Sequence, residues 1–160
     1  MKRLFIIQIL MLCSISIFAQ SKVFSSKEDD SGDKMRKLEK EYRNGVGQDS
    51  IDAIFYKEED VDLYFKQWGK FLGDMGKYLK KNNFIINEKV YFRVFFAKDG
   101  SVEHLFYKVL SKESDLLSEE KNKIFEDLLN QYIESNKINV STKEKFKQCG
   151  SGNFQLDDKK

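Results

Sequence analysis

Proline is absent from all 160 residues, so no position forbids a strand or interrupts a helix by its ring. Cysteine is almost absent, with Cys13 inside an apolar N-terminal run and Cys149 near the other end. No internal disulfide, Cys-x-x-Cys pair or zinc set can be drawn from one remaining thiol, and stability must come from a packed core. Histidine occurs once, as His104. A nucleophile–base pair would need Cys149 or a serine to meet it in space, so His104 reads as a surface residue of a strand. A surplus of positive charge is also missing. The chain has 28 basic and 26 acidic residues, and without Lys2 and Arg3 of the N-terminal run the two classes are equal. That balance argues against a nucleic-acid partner, which needs a clustered excess of Lys and Arg.

Long apolar runs are missing too, except at the start. Lys2 and Arg3 precede an uncharged stretch from Leu4 to Ala19, shorter than the ~20 apolar residues of a spanning helix and interrupted by Gln8, Ser14 and Ser16. Residues 1–19 read as an export signal cut after Ala19, with Ile17 an imperfect match to the small-x-small rule. The mature chain then begins at Gln20 and is periplasmic or secreted; left uncut, the same run would anchor it in the inner membrane. Cys13 is a poor lipid-attachment site, because bulky Leu12 precedes it and the apolar run continues past it.

The remaining length suits one domain. Residues 20–49 read as a flexible leader, polar from Ser21 to Asp33, and a short helix on which Met35, Leu38 and Tyr42 share a face. Asp33 is its expected N-cap and Gly45 its stop. The domain proper is expected over 50–160. Ser50–Lys57 alternates like a strand, with Ile51, Ala53 and Phe55 on one side. Asp62–Asn82 carries a helical stripe of Phe65, Trp68, Leu72, Met75 and Leu79. Gly69, Gly73 and Gly76 lie on one face of that helix, each costing about 1 kcal/mol relative to alanine, which predicts close packing against a sheet.

Glu88–Ser111 reads as a β-hairpin around Asp99-Gly100. With a two-residue turn, Ala97 opposes Val102, and Val90, Phe92 and Val94 share a face with Val109, Tyr107 and Leu105. A three-residue loop with Gly100 as a bulge would shift the register by one and bring His104 and Lys108 onto that face. The other face carries Tyr91, Arg93, Phe95, His104, Phe106 and Lys108. Ser118–Asn136 forms a second helix, with Ser118 as N-cap and Ile124, Phe125, Leu128, Leu129 and Tyr132 inward. A closing strand follows within Lys143–Leu156, where Phe146, Phe154 and Leu156 surround the loop Gly150-Ser151-Gly152. Helix, hairpin, helix and strand make an α+β fold, a small antiparallel β-sheet with two helices packed on one face.

Glu58, Glu59, Asp60 and Asp62 lack the glycine of a calcium loop and read as a solvated helix start. No metal or cofactor is expected, and no catalytic residue. The hairpin holds more aromatics than one sheet face hides. Its outer face could bind a protein or glycan, or lie under Ser50–Tyr56.

From Phe71 to Leu156 the chain resembles the C-terminal domain of the TonB energy transducers. Tyr78-Leu79-Lys80-Lys81-Asn82 matches the family's lead-in helix, Lys89 to Val102 its signature hairpin, and Leu105, Tyr107, Val109 and Ser111 its second strand. The chain departs from the pattern in carrying Asn83-Phe84 for Tyr-Pro, in lacking the proline segment before the last strand, and in having no proline-rich spacer. The resemblance implies a non-catalytic protein-interaction domain whose last strand region takes a receptor peptide by strand addition. The partner would be an envelope protein such as an outer-membrane receptor, with homodimerisation left open; an exported structural or inhibitor-like module is the alternative. The matching region is Lys145 to Cys149 or Asn153 to Leu156. In the first, Lys143, Lys145 and Lys147 line one face of an exposed edge and Phe146 points inward, so Gln148→Pro would remove one edge donor and spare the core. The expected partner-binding residues are Lys145, Phe146, Lys147 and Gln148, with Tyr91, Arg93, Phe95, His104 and Phe106 on the outer hairpin face.

Overall fold

A computed structural model describes residues 22–26, 31–110 and 117–154; the expected export signal with Cys13, and Leu156, lie outside them. The elements are β1 (Val23–Ser25), α1 (Ser31–Glu41), β2 (Arg43–Val46), β3 (Ala53–Phe55), α2 (Glu58–Lys81), β4 (Lys89–Phe96), β5 (Val102–Leu110), α3 (Glu119–Ser135) and β6 (Phe146–Asn153). The fold is α+β, as expected, but its sheet is larger and mixed. Six strands run in the order β1-β5-β4-β6-β2-β3. β4 is antiparallel to β5 and β6, while β1 lies parallel to β5 and β2 parallel to both β6 and β3.

The hairpin face is the one the alternation predicts: Val90 opposes Val109, Phe92 opposes Tyr107 and Val94 opposes Leu105, all buried. The turn differs. Ala97 and Ser101 close a three-residue loop, with Ala97 N–H donating to the Ser101 carbonyl at 2.9 Å and Gly100 at φ +83°, so Ala97 does not oppose Val102. Phe96 pairs with Val102 but Phe95 with His104. Glu103 is therefore an extra residue, a bulge that restores the register the loop had shifted. Two irregularities cancel, and the apolar faces stay matched.

On this inner face α2 and α3 pack together, joined by the buried Tyr132 hydroxyl donating to the Phe71 carbonyl at 2.9 Å. α2 begins a turn earlier than expected, and its buried stripe starts at Tyr64, leaving Phe65 47% exposed. The cause is β3: the Phe55 ring stacks on Tyr64 at 4.4 Å, which fixes the rotation of the first turns. In α3 the Ser118 side chain caps the Lys121 N–H as expected. Phe125, Leu129, Tyr132 and Ile133 are buried, whereas Ile124 faces outward.

The N-terminal expectations need the larger correction. Val23–Ser25 is a strand and not part of a flexible leader, because its main chain pairs with β5: Leu105 N–H donates to the Lys22 carbonyl at 2.8 Å. The helix starts at Ser31, so Asp33 sits in its first turn and is no N-cap, and Gly45 lies in β2. α1 covers the outer sheet face, where Leu38 and Tyr42 form a second small core with Phe95 and Phe106, flanked by Phe24 and Met35. Helices thus occupy both faces, and residue 50 does not bound the fold. Gly150, Ser151 and Gly152 are part of β6 and not a loop.

Phe92 is fully buried, so Phe92→Ala should cost about 3–5 kcal/mol in chemical denaturation. Gly100→Ala should cost at least about 1–3 kcal/mol from its backbone conformation alone, with a further loss because the added Cβ would lie 2.2 Å from the Ile138 carbonyl oxygen. A loss below that range would mean that the three-residue turn can relax.

Candidate functional site

The expected partner-binding residues divide between two places, and neither is an open surface. Phe146 is fully buried, its ring stacked on Phe96 at 5.0 Å. β2 pairs with Phe146 and Lys147, and the Lys145 carbonyl accepts from Arg43 N–H at 3.2 Å. The Lys145–Lys147 stretch is therefore interior to the sheet and not its edge. Lys145 Nζ bonds Glu103 at 2.8 Å, and Lys147 Nζ donates to the Glu39 carbonyl at 3.0 Å. On the outer hairpin face, Phe95 and Phe106 are buried beneath α1, so the cover is residues 31–42 and not Ser50–Tyr56. Arg93 ties α1 to the sheet through an ion pair with Glu39, and its Nε–H points at Cys149 Sγ at 3.3 Å. Burial alone would lower the Arg93 pKa, but hydrogen bonds to Tyr91 and Cys149 and the Glu39 charge raise it. Tyr91 is shifted up, first by its hydrogen bond with Cys149. His104 is half-buried against the Phe24 ring.

The open edge lies further along β6. Its ladder to β2 ends at Lys147, whereas its ladder to β4 continues to Asn153. N–H and C=O of one residue point to the same side of a strand, and successive residues alternate. Since Lys145 addresses β2, Lys147, Cys149 and Ser151 face that side too, and Gln148 and Gly150 face β4. The Gln148 side chain donates to the Cys149 carbonyl at 2.9 Å, satisfying the acceptor just where β2 departs. Beyond it the Ser151 main chain faces outward with no strand beside it among the described residues.

This edge fronts a groove of about 550 Å³ between β6 and α2, lined by Gly69, Leu72, Gly73, Gly76, Lys77 and Lys80 on one side and by Ser151, Gly152, Asn153 and Phe154 on the other. The predicted close packing of the glycines holds only at Gly76, where an added Cβ would meet Phe154 at 2.8 Å. At Gly69 and Gly73 an added Cβ would meet nothing within 4 Å. Two interior helical glycines therefore weaken α2, and no neighbouring atom requires them. Asp74 bonds Lys70 and Lys77 on the solvent side at 2.5 and 2.9 Å, which holds its carboxyl below the usual range.

The acids Glu58, Glu59 and Asp60 form the first turn of α2. Among the described residues no group of three or more His, Cys, Asp or Glu side chains could hold a metal ion, and no helix is long and apolar enough to cross a membrane. The groove was the feature hardest to anticipate. The glycine stripe signalled it, but spacing cannot distinguish a filled face from an empty one.

Gly73→Ala should stabilise the fold by up to about 1 kcal/mol through helix propensity, whereas Gly76→Ala, which must displace the Phe154 ring, should not. Melting curves of the two variants check this, and a destabilised Gly73→Ala would show that the groove is filled.

Comparisons with family models, with curated proteins and with solved structures give no match to this chain.

Proposed function

We propose that this chain is a non-catalytic, exported protein-interaction module of TonB C-terminal type, which takes an extended segment of an envelope protein by strand addition to β6. The observation that carries the reading is the open half of β6. A strand laid beside Cys149 and Ser151 continues the line that β2 abandons, and exposed edges of this kind pair with other chains unless blocked. Gly69 and Gly73 leave room above it for the side chains of the incoming segment. The succession α2, β4–β5, α3, β6 supports the family reading, while β1, α1, β2 and β3 lie outside the stretch that resembles the family. An outer-membrane receptor is the proposed partner class, and the periplasm the proposed location.

The reading replaces Gln148→Pro as its test, because the Gln148 N–H faces β4 and its loss would break the central ladder. Ser151→Pro removes an outward N–H and leaves the β4 ladder intact. A photo-cross-linking side chain at Lys80 should capture an outer-membrane receptor from envelope extract, and the adduct should be lost with Ser151→Pro and with Gly73→Leu while both variants keep the parental melting temperature or exceed it. Unchanged adducts in both variants would overturn strand addition at this edge. Capture without any receptor would favour the structural or inhibitor-like alternative. The N-terminal residue of the protein recovered from the periplasm tests the export step: Gln20 fits a released module, and Met1 an anchored transducer.

A further inference from the structure

We infer that His104 makes the docking of the N-terminal strap, α1, onto the outer sheet face weaken in acid. β1 is held firmly, paired with β5, with Val23 in the main core and the Lys22 N–H donating to Asn130 of the third helix at 3.1 Å. α1 is held less extensively: it rests through Leu38 and its neighbour Tyr42 on Phe95 and Phe106. Among the described residues its polar attachments are the Glu39–Arg93 ion pair, the Arg93 contact with Met35 Sδ at 3.4 Å, the Lys147 bond to the Glu39 carbonyl, and the Tyr42 hydroxyl donating to Glu103. His104 stands under this strap on β5, its ring 6.2 Å from that of Phe24, which lies beneath the Lys34 ammonium at 3.6 Å.

The Nδ1 atom of His104 is buried and has no hydrogen-bond partner among the described residues. Among the described residues the charged groups around it are mostly of one sign: Lys34 from α1, Lys22 leading into β1 and Lys145 preceding β6 oppose a proton, and Glu103 of its own strand favours one. The Glu103 carboxylate is already engaged by the Tyr42 hydroxyl and by Lys145 Nζ. A second ring proton would thus place an imidazolium near three ammonium groups, with an N–H that finds no acceptor among the described residues of the closed form. Lifting α1 opens the ring to water and removes Lys34 from its vicinity. Burial first, and then Lys34, hold the His104 pKa below its ordinary value.

The sign follows from linkage. The open form binds the proton more readily than the closed one, so the closed form is fully favoured above about pH 6.5 and loses ground as pH falls below it. One proton limits the effect to tenfold per pH unit. Opening would uncover Phe95 and Phe106, the aromatics of the outer hairpin face. This inference does not rest on the β6 groove.

Amide hydrogen exchange of the mature chain, corrected for intrinsic rates, tests it between pH 7.5 and 5.0, a range in which Glu103, itself held below the usual carboxylate range, stays ionised. Amides of 31–41 should lose protection several-fold, and no more than tenfold per unit, below pH 6.5, while those of α3 and β4 do not. His104→Gln should abolish the dependence. No loss in the parent, or an equal loss in His104→Gln, overturns the inference. Should that variant fail to fold, NMR titration of the His104 ring in the parent decides. A midpoint below 6.5 that rises in Lys34→Gln supports it, and a midpoint at or above 6.5 overturns it.

Discussion

The enclosure of β4 is the constraint on which the rest of the structure depends. This strand has β5 along one edge and β6 along the other, with Phe92 buried on the α2–α3 side and Phe95 buried on the α1 side. A strand closed on both edges and both faces tolerates no slip, because moving it by one residue would exchange its two apolar sets. The hairpin illustrates how strictly this operates. The three-residue turn that Gly100 favours would bring His104 and Lys108 inward, and the bulge at Glu103 removes that error within a few residues. Turn geometry gives way to the burial of Val90, Phe92 and Val94 because several apolar side chains outweigh one local ladder defect.

The same hierarchy decides what could be read in the sequence. Helix α3 with its Ser118 cap, the inner hairpin face and the α+β class follow from periodicity and capping, which are local. The departures all involve contacts between distant segments. Val23–Ser25 is too short and too polar in its surroundings to signal a strand, and it becomes one only because β5 offers a main-chain partner. Tyr64 displaces Phe65 from the core because Phe55 stacks on it. Lys145–Lys147 alternates like an exposed edge, yet β2, from a hundred residues earlier, pairs there. An aromatic-rich outer face signalled that something covers it, but not that residues 31–42 do so.

The site was legible in part. A closing strand with a pairing edge follows from the resemblance, but the observed open edge begins at the end of one expected stretch, Lys145–Cys149, and precedes most of the other, Asn153–Leu156, because β2 stops pairing with β6 after Asn44. That departure also explains the positions of Gln148 and the glycines. Where β2 leaves, the Gln148 amide satisfies the Cys149 carbonyl; further along, Gly152 and Gly76 admit the Phe154 ring, which closes one end of the groove. Between these two closures Gly69 and Gly73 face empty space.

An open sheet edge and an uncovered aromatic face are both hazards in an aggregation-prone sense, and this chain treats them differently. The outer face is covered by a strap of its own residues, held through polar contacts to Glu39 and Glu103 that sit at the rim of a small aromatic core. The β6 edge instead stays open beside α2, with Lys77 and Lys80 lining the groove between them. Gly69 and Gly73 keep the helix wall of that groove low, and their conformational cost to α2 is small beside the burial that Trp68, Leu72, Met75 and Leu79 supply on the adjacent face. A helix with a weaker apolar stripe could not keep such a wall.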